Sequence, residues 1–363
     1  MEAINLLLIT ARADSGGGPK HVNDLAEYIK KHFKNINLFI ASPNDKPFGG
    51  NYQKFANTFF LLPHRKFFVL SLLKLRKFCK KNKINVVHSH GRGAGIFSRL
   101  LFLFNIKVIH TYHGVHKESG FKDRFKNIIE RLLKRFTNAF IFVSKSELTT
   151  AESVKLTKKN QNHVIPNGID SDEIKKLKST LDRRQIRESF GIKENEIVLG
   201  TLTRLDRQKG NDILVNHFSK LVKQQPDKNF KLLIAGEGEE KNTLLNLISQ
   251  LKLSNQVTLL GSIDKPLEFL HAIDIFVSAS RGEGLPYALI EGLLMETKIV
   301  ASNVAGHKDL LHENYLFDLN DFENFSARID KVQKEKNFTN KQIDIFELRD
   351  SVKRIISIYQ DLI

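Results

Sequence analysis

Residues Ser278–Ala305 read SASRGEGLPYALIEGLLMETKIVASNVA and carry two carboxylates, Glu283 and Glu291, eight positions apart. Glu283 stands in a Gly-rich turn, Pro286 suits the first turn of a helix, and residues 287–295 have a helical pattern. A helix start offers unpaired backbone N–H groups that hold a phosphate, here those of Gly284 and Leu285, and carboxylates accept hydrogen bonds from hydroxyl groups. The segment therefore predicts a loop and helix that hold an anion beside a polyol.

Apolar runs on both sides of this helix, residues 273–278 and 298–302, predict buried strands, so the segment is a strand, a helix and a strand. The same alternation fills the chain. Further strands are predicted at residues 4–10, 38–41, 86–89, 107–112 and 139–144, and, after Ile165–Asp170, at residues 197–203, 231–235 and 257–260. This pattern predicts an α/β fold of two doubly wound domains with a link between Asn167 and Ile197.

Charge is divided unevenly along the 363 residues, whose net charge is +17. Residues 1–178 contain 32 Lys and Arg against 13 Asp and Glu, and the remainder contains 25 against 27. The first half therefore carries the whole excess, which suits a polyanion or an anionic membrane surface. A solvated basic surface without a partner is the alternative.

The N-terminus and the single cysteine, Cys79, indicate the compartment. The opening residues lack the basic start and the small-residue cleavage site of a signal peptide, and no apolar run reaches the ~20 residues of a membrane span. One cysteine excludes an internal disulfide and a cysteine-based metal cluster. We expect a cytoplasmic protein.

Three loops that follow predicted strands are candidates for ligand contacts, two of them for binding phosphate. The first strand ends in a Gly-rich turn that contains Gly16 and Gly17 and precedes an amphipathic helix; a purely structural turn is the alternative. The strand at 197–203 is followed by Arg204 and Lys209, which can converge on one diphosphate, although solvated surface charge has the same appearance. Gly236 ends another strand and suits close passage of a base or ribose, although a plain turn is the usual reason for a glycine at a strand end.

Five histidines cluster near two strand ends: His88, His90, His110, His113 and His116. No acidic or cysteine ligand accompanies them at metal spacing, and strand alternation should divide them between two faces, so we expect no metal site. His113 starts a loop and precedes a glycine, which places it to hydrogen-bond a substrate.

Two stretches, residues 64–83 and 121–136, combine an apolar stripe with a strongly basic opposite face. The stripes predict packing against the sheet. The basic faces suit anionic lipid, each Lys or Arg near such a surface contributing about 1 kcal/mol.

Taken together, these segments resemble glycosyltransferase family 4, the retaining nucleotide-sugar enzymes of GT-B fold. The resemblance spans nearly the whole chain. It is carried by Gly16-Gly17, Thr111-Tyr112-His113-Gly114, Val143-Ser144-Lys145-Ser146, Ile165-Pro166-Asn167-Gly168-Ile169-Asp170, Arg204 to Gly210, Gly236-Glu237-Gly238, and the Glu-x7-Glu motif formed by Glu283 and Glu291.

The resemblance implies a GT-B fold of two Rossmann-like domains with a cleft between them. Residues 1–170 would bind the acceptor, residues 171–345 the nucleotide-sugar, and residues 346–363 would form a helix that crosses back to the first domain. The resemblance also assigns roles to the residues that match the family's motifs. Arg204 and Lys209 would bind the donor diphosphate, Glu291 the ribose and Glu283 the donor sugar. The backbone at Gly16, Gly17, Gly236, Gly284 and Leu285 would complete the donor site, and His113 would approach the transferred sugar.

The implied reaction is retaining transfer of a hexose or N-acetylhexosamine to a lipid-linked or lipopolysaccharide- or capsule-type glycan, at the inner face of the membrane. Two fixed cations can stabilise the leaving diphosphate without Mg²⁺, so the nucleotide-sugar is a co-substrate and no cofactor or metal is expected. The Glu283 and Glu291 pair has the appearance of a glycosidase nucleophile and acid, yet the resemblance assigns Glu283 to orienting the sugar.

Two other classes fit parts of the sequence. Nucleotide-sugar 2-epimerases share the two-domain architecture, but the Glu-x7-Glu motif with Arg204 and Lys209 favours transfer. Positive charge alone suggests a nucleic-acid-binding protein. The aromatics lie on apolar stripes and no binding module is recognisable, so we expect no nucleic-acid partner.

Overall fold

Strands and helices alternate along the part of the chain that the computed structural model describes: residues 3–64, 66–115, 121–335, 338 and 347–363, with the backbone alone for residues 121–123. These residues form two units. The first takes in the described residues up to Gly168 together with the last helix, and the second starts at Ile169. His116, Arg65 and Phe346, which the sequence analysis included in its patterns, lie outside the described residues.

The first unit is a parallel sheet covered by helices on both faces. Its strands are β1 (Ile4–Thr10), β2 (Ile36–Ser42), β3 (Thr58–Leu61), β4 (Val86–His90), β5 (Lys107–Thr111), β6 (Ala139–Phe142) and β7 (Asn162–Val164). Its helices are α1 (Gly17–His32), α2 (Gly49–Phe55), α3 (Val69–Lys81), α4 (Gly91–Leu101), α5 (Phe121–Leu133), α6 (Lys145–Ser153) and the last helix of the chain, α15 (Leu348–Asp361). The strand order is β3-β2-β1-β4-β5-β6-β7.

The second unit repeats this plan. Its strands are β8 (Ile197–Leu202), β9 (Phe230–Ala235), β10 (Val257–Gly261), β11 (Ile275–Ser278), β12 (Lys298–Ser302) and β13 (Leu316–Phe317). Its helices are α7 (Ser171–Lys178), α8 (Arg183–Ser189), α9 (Asn211–Gln224), α10 (Lys241–Gln250), α11 (Pro266–Ala272), α12 (Tyr287–Leu294), α13 (Ala305–Lys308) and α14 (Phe322–Lys334). The strand order is β10-β9-β8-β11-β12-β13. Two doubly wound parallel sheets confirm the predicted fold class.

Burial on both faces explains why the central strands are apolar throughout. In β1, Leu6 and Leu8 pack in a cluster with side chains of α1 and α15. The alternate residues Leu7 and Ile9 pack with side chains of α3 and α4 on the other face. The edge strands β3 and β7 are half-buried or exposed, so they lack this signal and the sequence analysis does not predict them.

Helix α5 contradicts part of the predicted packing of its apolar stripe: Ile129 and Leu133 are half-buried, but the other described members on the helix are exposed. Phe125, Ile128 and Leu132 are 57%, 48% and 54% exposed, whereas Glu130 faces inward. Glu130 Oε2 accepts hydrogen bonds from Arg99 Nη1 at 2.7 Å and from the Tyr112 hydroxyl at 2.9 Å. Arg99 is fully buried, and an unpaired buried guanidinium would cost several kcal/mol. Pairing Arg99 therefore favours the rotation of α5 that leaves Phe125, Ile128 and Leu132 exposed.

Among the helices described, none combines the length and apolar character needed to cross a membrane.

Candidate active site

The strand order of the second unit brings together the loops that carry the predicted donor residues. β8 and β11 are neighbours in the sheet although two strands, β9 and β10, lie between them in the chain. This reversal of order is the switch point where open parallel sheets bind ligands. Arg204 and Lys209 follow β8, and Glu283 follows β11. Residues 74 positions apart therefore meet at one edge of the sheet.

Lys209 and Glu283 are in direct contact. Lys209 Nζ donates to Glu283 Oε1 at 2.6 Å, and the Ser280 hydroxyl donates to the same oxygen at 2.7 Å. The two charged side chains are 18% and 11% exposed. Burial alone would raise the pKa of Glu283, but the Lys209 ammonium, His307 and the two hydrogen bonds together lower it. Glu283 is therefore ionised at neutral pH and acts as a hydrogen-bond acceptor.

Local backbone geometry explains the position of Lys209. The Asp206 carboxylate caps a short 3₁₀ helix, Arg207–Lys209, by accepting from Lys209 N at 3.2 Å. Gly210 follows with φ +66°, and a Cβ there would lie 2.0 Å from the Ala279 carbonyl oxygen. The chain needs glycine at this position because the loop after β8 lies directly against the loop after β11.

Further contacts join the same two loops. Arg281 forms a bidentate pair with Asp212, at 2.9 and 2.7 Å, and its backbone N donates to the Gln208 carbonyl at 2.8 Å. The Gln208 side chain donates to the Gly282 carbonyl at 3.0 Å. Glu283 and Lys209 therefore sit on a braced pair of loops, as a preorganised site requires.

Arg204 is held by a different partner. Its Nη1 lies 2.5 Å from Asp206 Oδ2, and its side chain is 35% exposed. The pair with Asp206 fixes the guanidinium on the same loop as Lys209, so two cations flank the carboxyl end of β8.

A buried polar cluster behind Glu283 escaped the sequence analysis. His307 is fully buried on α13, and one ring nitrogen, Nδ1, lies 2.8 Å from the Ser302 carbonyl oxygen. Its Nε2 lies 3.3 Å from the Ser278 hydroxyl, which is 3.4 Å from the hydroxyl of Ser280. Burial lowers the pKa of His307, although Glu283 opposes this effect. The sequence could have indicated His307, because it follows the predicted strand β12. In the structure β12 adjoins β11, the strand that precedes Glu283.

The second carboxylate of the motif lies on the adjacent helix. Glu291 is the fifth residue of α12 and is 9% exposed. Gly284 and Leu285, just before the helix, are buried, and Gly306 N donates to the Glu283 carbonyl at 3.3 Å. A Cβ on Gly306 would lie 2.3 Å from the Gly284 carbonyl oxygen. The turn that carries Glu283 is thus clamped between α12 and α13.

Close packing of two loops explains why position 236 is a glycine. Its φ is +140°, and a Cβ there would lie 1.8 Å from the Thr203 carbonyl oxygen. The glycine lets the loop after β9 touch the loop that carries Arg204. Its contact with a base or ribose stays a prediction.

In the first unit, the predicted Gly-rich loop lies beside the predicted histidine. Gly16 is the N-cap of α1 and Gly17 its first residue. A Cβ on the next residue, Gly18, would lie 3.5 Å from the ring of His113. Arg12, which the sequence analysis missed, forms two hydrogen bonds to Asp14, at 2.7 and 2.9 Å, and one to the Ser15 carbonyl. The loop thus gathers one arginine and one histidine near a helix start.

Glu147 holds the loop that follows His113. Its two carboxylate oxygens accept from Gly114 N at 2.5 Å and from Val143 N at 2.8 Å. The Ser144 hydroxyl caps α6 by accepting from Glu147 N at 3.1 Å. The segment Val143-Ser144-Lys145-Ser146 therefore has a structural role: through Glu147 it ties the start of α6 to the loop that follows His113.

Strand alternation divides the strand histidines as expected. His88 faces α15, where its Nδ1 is 2.6 Å from the Tyr359 hydroxyl. His110 faces the opposite way, toward the hydroxyl of Ser89 at 2.9 Å. However, His90 and His113 meet a third ring, His21 of α1, which the sequence analysis did not consider.

Comparison with known proteins agrees with this fold. HepE of Anabaena in complex with UDP-glucose superposes with a TM-score of 0.81 at 17% identity, covering 99% of this chain and 100% of that chain. Sucrose-phosphate synthase of Thermosynechococcus elongatus superposes with a TM-score of 0.82 at 19% identity, covering 99% of each chain. The fold is that of the GT-B glycosyltransferases.

Sequence comparison gives the family. The model described as Glycosyltransferase Family 4 matches residues 15–173, and the model described as Glycosyl transferases group 1 matches residues 182–346. An Escherichia coli UDP-Gal:alpha-D-GlcNAc-diphosphoundecaprenol alpha-1,3-galactosyltransferase is 28% identical over 81% of this chain and 79% of its own length. The E. coli O-antigen biosynthesis glycosyltransferase WbnH is 26% identical over 90% of each. The chain belongs to glycosyltransferase family 4 and is a glycosyltransferase.

Proposed function

We propose that the protein is a retaining glycosyltransferase that moves a hexose or N-acetylhexosamine from a nucleotide-sugar to a lipid-linked or lipopolysaccharide- or capsule-type glycan, without a metal ion. The arrangement of Lys209, Glu283 and Arg204 at the switch point of the second sheet is the observation that carries this proposal.

Transfer from a sugar diphosphate requires that the leaving charge be stabilised. Lys209 and Arg204 supply two cations on one loop, and their carboxylate partners and the braced backbone fix them before substrate binds. Fixed cations in a partly buried site stabilise a developing diphosphate more than water does. We therefore assign them to the donor diphosphate and Glu291 to the ribose.

Glu283 has the properties of a sugar-orienting group. Its lowered pKa keeps it ionised, so it accepts hydrogen bonds from sugar hydroxyls and has no proton to give. One oxygen already accepts from both Lys209 and Ser280, an engagement that favours orientation over covalent attack. Retention then follows from attack on the face that the diphosphate leaves, with a phosphate oxygen taking the acceptor proton. His113 is assigned to the transferred sugar on the strength of the family resemblance.

The acceptor class is supported by two observations. The named relatives act on a diphosphoundecaprenol-linked sugar or in O-antigen biosynthesis. In addition, the first unit exposes apolar side chains flanked by basic ones, which suits a lipid surface.

These exposed side chains form two patches on the helices of the first unit. One patch follows α5 with Phe125, Ile128 and Leu132. The other comprises Phe68, Leu70 and Leu73 at the start of α3, with Leu103 and Phe104; Arg76 of α3 lies 3.8 Å over the Phe104 ring. We propose that these patches rest on the anionic inner face of the membrane, where apolar insertion and basic charge act together.

The direct test is a transfer assay with the purified protein. Radiolabelled UDP-, GDP- and ADP-sugars are incubated with an undecaprenyl-diphosphate-linked N-acetylhexosamine, with and without EDTA. We expect one donor to pass label to the lipid phase with retained anomeric configuration, and EDTA to leave the rate undiminished. A strict Mg²⁺ requirement would overturn the metal-independent mechanism. Acceptor-independent inversion at C2 of the donor would instead establish an epimerase.

A further inference from the structure

Three histidines from separate elements form a cluster at the carboxyl edge of the first sheet. His21 lies in the first turns of α1, His90 ends β4, and His113 follows β5. Their ring centroids are 5.0 to 5.6 Å apart in all three pairings. One ring nitrogen from each lies within 4.8 Å of the others. β1 and β4 adjoin at this edge, so the cluster occupies the switch point of this sheet.

The hydrogen bonding of these rings is incomplete. His21 Nε2 and His90 Nε2 are buried without a hydrogen-bond partner among the described residues. His88, by contrast, is also buried but uses both nitrogens, with Tyr359 and Thr111 at 2.6 Å each. An unsatisfied buried polar atom costs about 1–3 kcal/mol. His21 Nε2 is therefore a buried nitrogen open to a ligand. On His90 the nitrogen that lies 3.4 Å from His113 Nε2 is Nδ1, so an ion held between these two rings would bind Nδ1 and leave His90 Nε2 as it is.

The geometry and the donor atoms suit a particular class of ion. His90 Nδ1 and His113 Nε2 are 3.4 Å apart, the length of a weak hydrogen bond between the two rings. The distance is also close to the ~3.3 Å that separates two nitrogens bound at ~2.0 Å in a tetrahedral site. Imidazole nitrogens select Zn²⁺, Co²⁺, Ni²⁺ or Cu²⁺, whereas Mg²⁺ and Ca²⁺ need oxygen ligands. His113 is only partly buried, which leaves an open side for a water ligand.

We propose that His21, His90 and His113 bind one divalent transition-metal ion of the zinc class, and that the bound ion inhibits sugar transfer by occupying His113. The inhibitory part rests on the proposed role of His113 in transfer. The site differs from the expectation of no metal in the sequence analysis, because α1 supplies a third imidazole that strand alternation does not govern.

The protonation state of the rings supports metal binding. Burial lowers the pKa of His21 to about 4 and the pKa values of His90 and His113 well below their ordinary value. All three rings are therefore neutral near pH 7 and keep a lone pair for a metal.

The test uses untagged, metal-free full-length protein titrated with Co²⁺ and then Zn²⁺, without substrates. We expect one Co²⁺ per chain with the visible absorption of a four- or five-coordinate ion, displaced by one Zn²⁺. His21→Gln and His90→Gln should each weaken binding by at least ~100-fold. His163→Gln, which removes an imidazole from β7 outside the cluster, should bind as the wild type does. Thermal unfolding without metal checks that each variant is folded.

Several results would overturn the site: an octahedral cobalt spectrum, absence of binding, or binding that His21→Gln and His90→Gln leave unchanged. In the transfer assay, Zn²⁺ should inhibit the wild type and should inhibit His21→Gln less; equal inhibition would reject the proposed mode of inhibition. A protein that binds Co²⁺ as expected yet transfers no sugar would keep the metal site and refute the proposed function. A protein that transfers sugar but does not bind Co²⁺ would keep the proposed function and refute the metal site.

Discussion

At the scale of single residues, the function of a side chain in this protein depends on the partner that the fold supplies. Glu283 and Glu130 are both mostly buried carboxylates with a cationic partner. Glu130 lies inside the first unit, where it stabilises Arg99. Glu283 lies at the carboxyl edge of the second sheet, on a loop beside Lys209. The same pairing chemistry therefore serves packing in one place and a candidate donor site in the other.

Replacing Lys209 or Arg204 with Ala should reduce kcat for transfer by about 100- to 1,000-fold, the loss typical of one fixed group that stabilises developing negative charge. Steady-state kinetics with saturating donor measure it. Lys228→Ala is a matched control, because Lys228 pairs with Asp330 on the surface of the same unit. Near-normal turnover of Lys209→Ala and Arg204→Ala would refute the diphosphate role.

The ion pair of Glu283 should make stability depend on pH in a defined direction. The folded-state pKa of Glu283 is lowered, so the pair stabilises the protein above the unfolded carboxyl pKa of about 4.3 and loses this effect as the pH falls through the folded pKa. Urea unfolding should show wild type more stable than Glu283→Gln at pH 6, with the difference shrinking toward pH 3. A difference independent of pH would contradict the lowered pKa.

At the scale of elements, the rotation of α5 is decided by a buried ion pair. Phe125, Ile128 and Leu132 stay exposed on this helix. Turning them inward would take Glu130 away from Arg99 and leave the buried guanidinium without a counter-charge. Satisfying a buried charge outweighs the burial of three apolar side chains here.

Breaking this pair should destabilise the first unit strongly. Glu130→Ala should lower the free energy of unfolding by about 3–5 kcal/mol, because Arg99 is left buried and unpaired. The double variant Arg99→Met with Glu130→Leu should lose less stability, because no buried charge is left unpaired. Denaturant unfolding measures both, and Glu188→Ala, which removes an exposed carboxylate, should stay within ~0.5 kcal/mol of wild type. A mild effect of Glu130→Ala would mean that α5 is oriented by other contacts.

The outward stripe of α5 gives a separate prediction about membranes. Replacing Phe125, Ile128 and Leu132 with Ser should weaken sedimentation with phosphatidylglycerol vesicles at low salt, while stability changes little because these side chains are already exposed. Leu245→Ser on α10 of the second unit, where Leu245 is 46% exposed, is the control. Salt should weaken wild-type binding. Unchanged binding by the triple variant, or none by wild type, would reject the proposed surface.

At the scale of the whole molecule, two units each contain their own core and their own switch point. The candidate donor residues belong to the second unit and the histidine cluster to the first. Ligand binding to either should therefore raise the stability of the unit that contains the site.

A thermal-shift screen of UDP-, GDP- and ADP-sugars should single out the donor. A ligand at about 100 times its Kd stabilises the folded state by about 2.7 kcal/mol, and Arg204→Ala should lose that shift. Lys228→Ala should keep it. If no nucleotide-sugar shifted the wild type, the assignment of the donor site would fail.

Much of the fold was predictable because local pattern and burial agree. β1 and β12 begin and end where their apolar runs do, since strands buried on both faces must be apolar throughout. β7 was missed because an edge strand of three half-buried residues carries no such run. Helical period likewise revealed the stripe on α5 without indicating which way it faces.

The candidate site was likewise predictable only in part. The sequence by itself determined which residues stand at strand ends, and so placed Arg204, Lys209, Glu283 and His113 on loops at the carboxyl edges of two sheets. Only the tertiary structure decided which of them touch: strand order joined Lys209 to Glu283, put His307 behind them, and brought His21 from α1 to His90 and His113. The physical reason is that propensity and periodicity act over a few neighbouring residues, whereas strand order and buried charge pairing act between residues far apart in the chain.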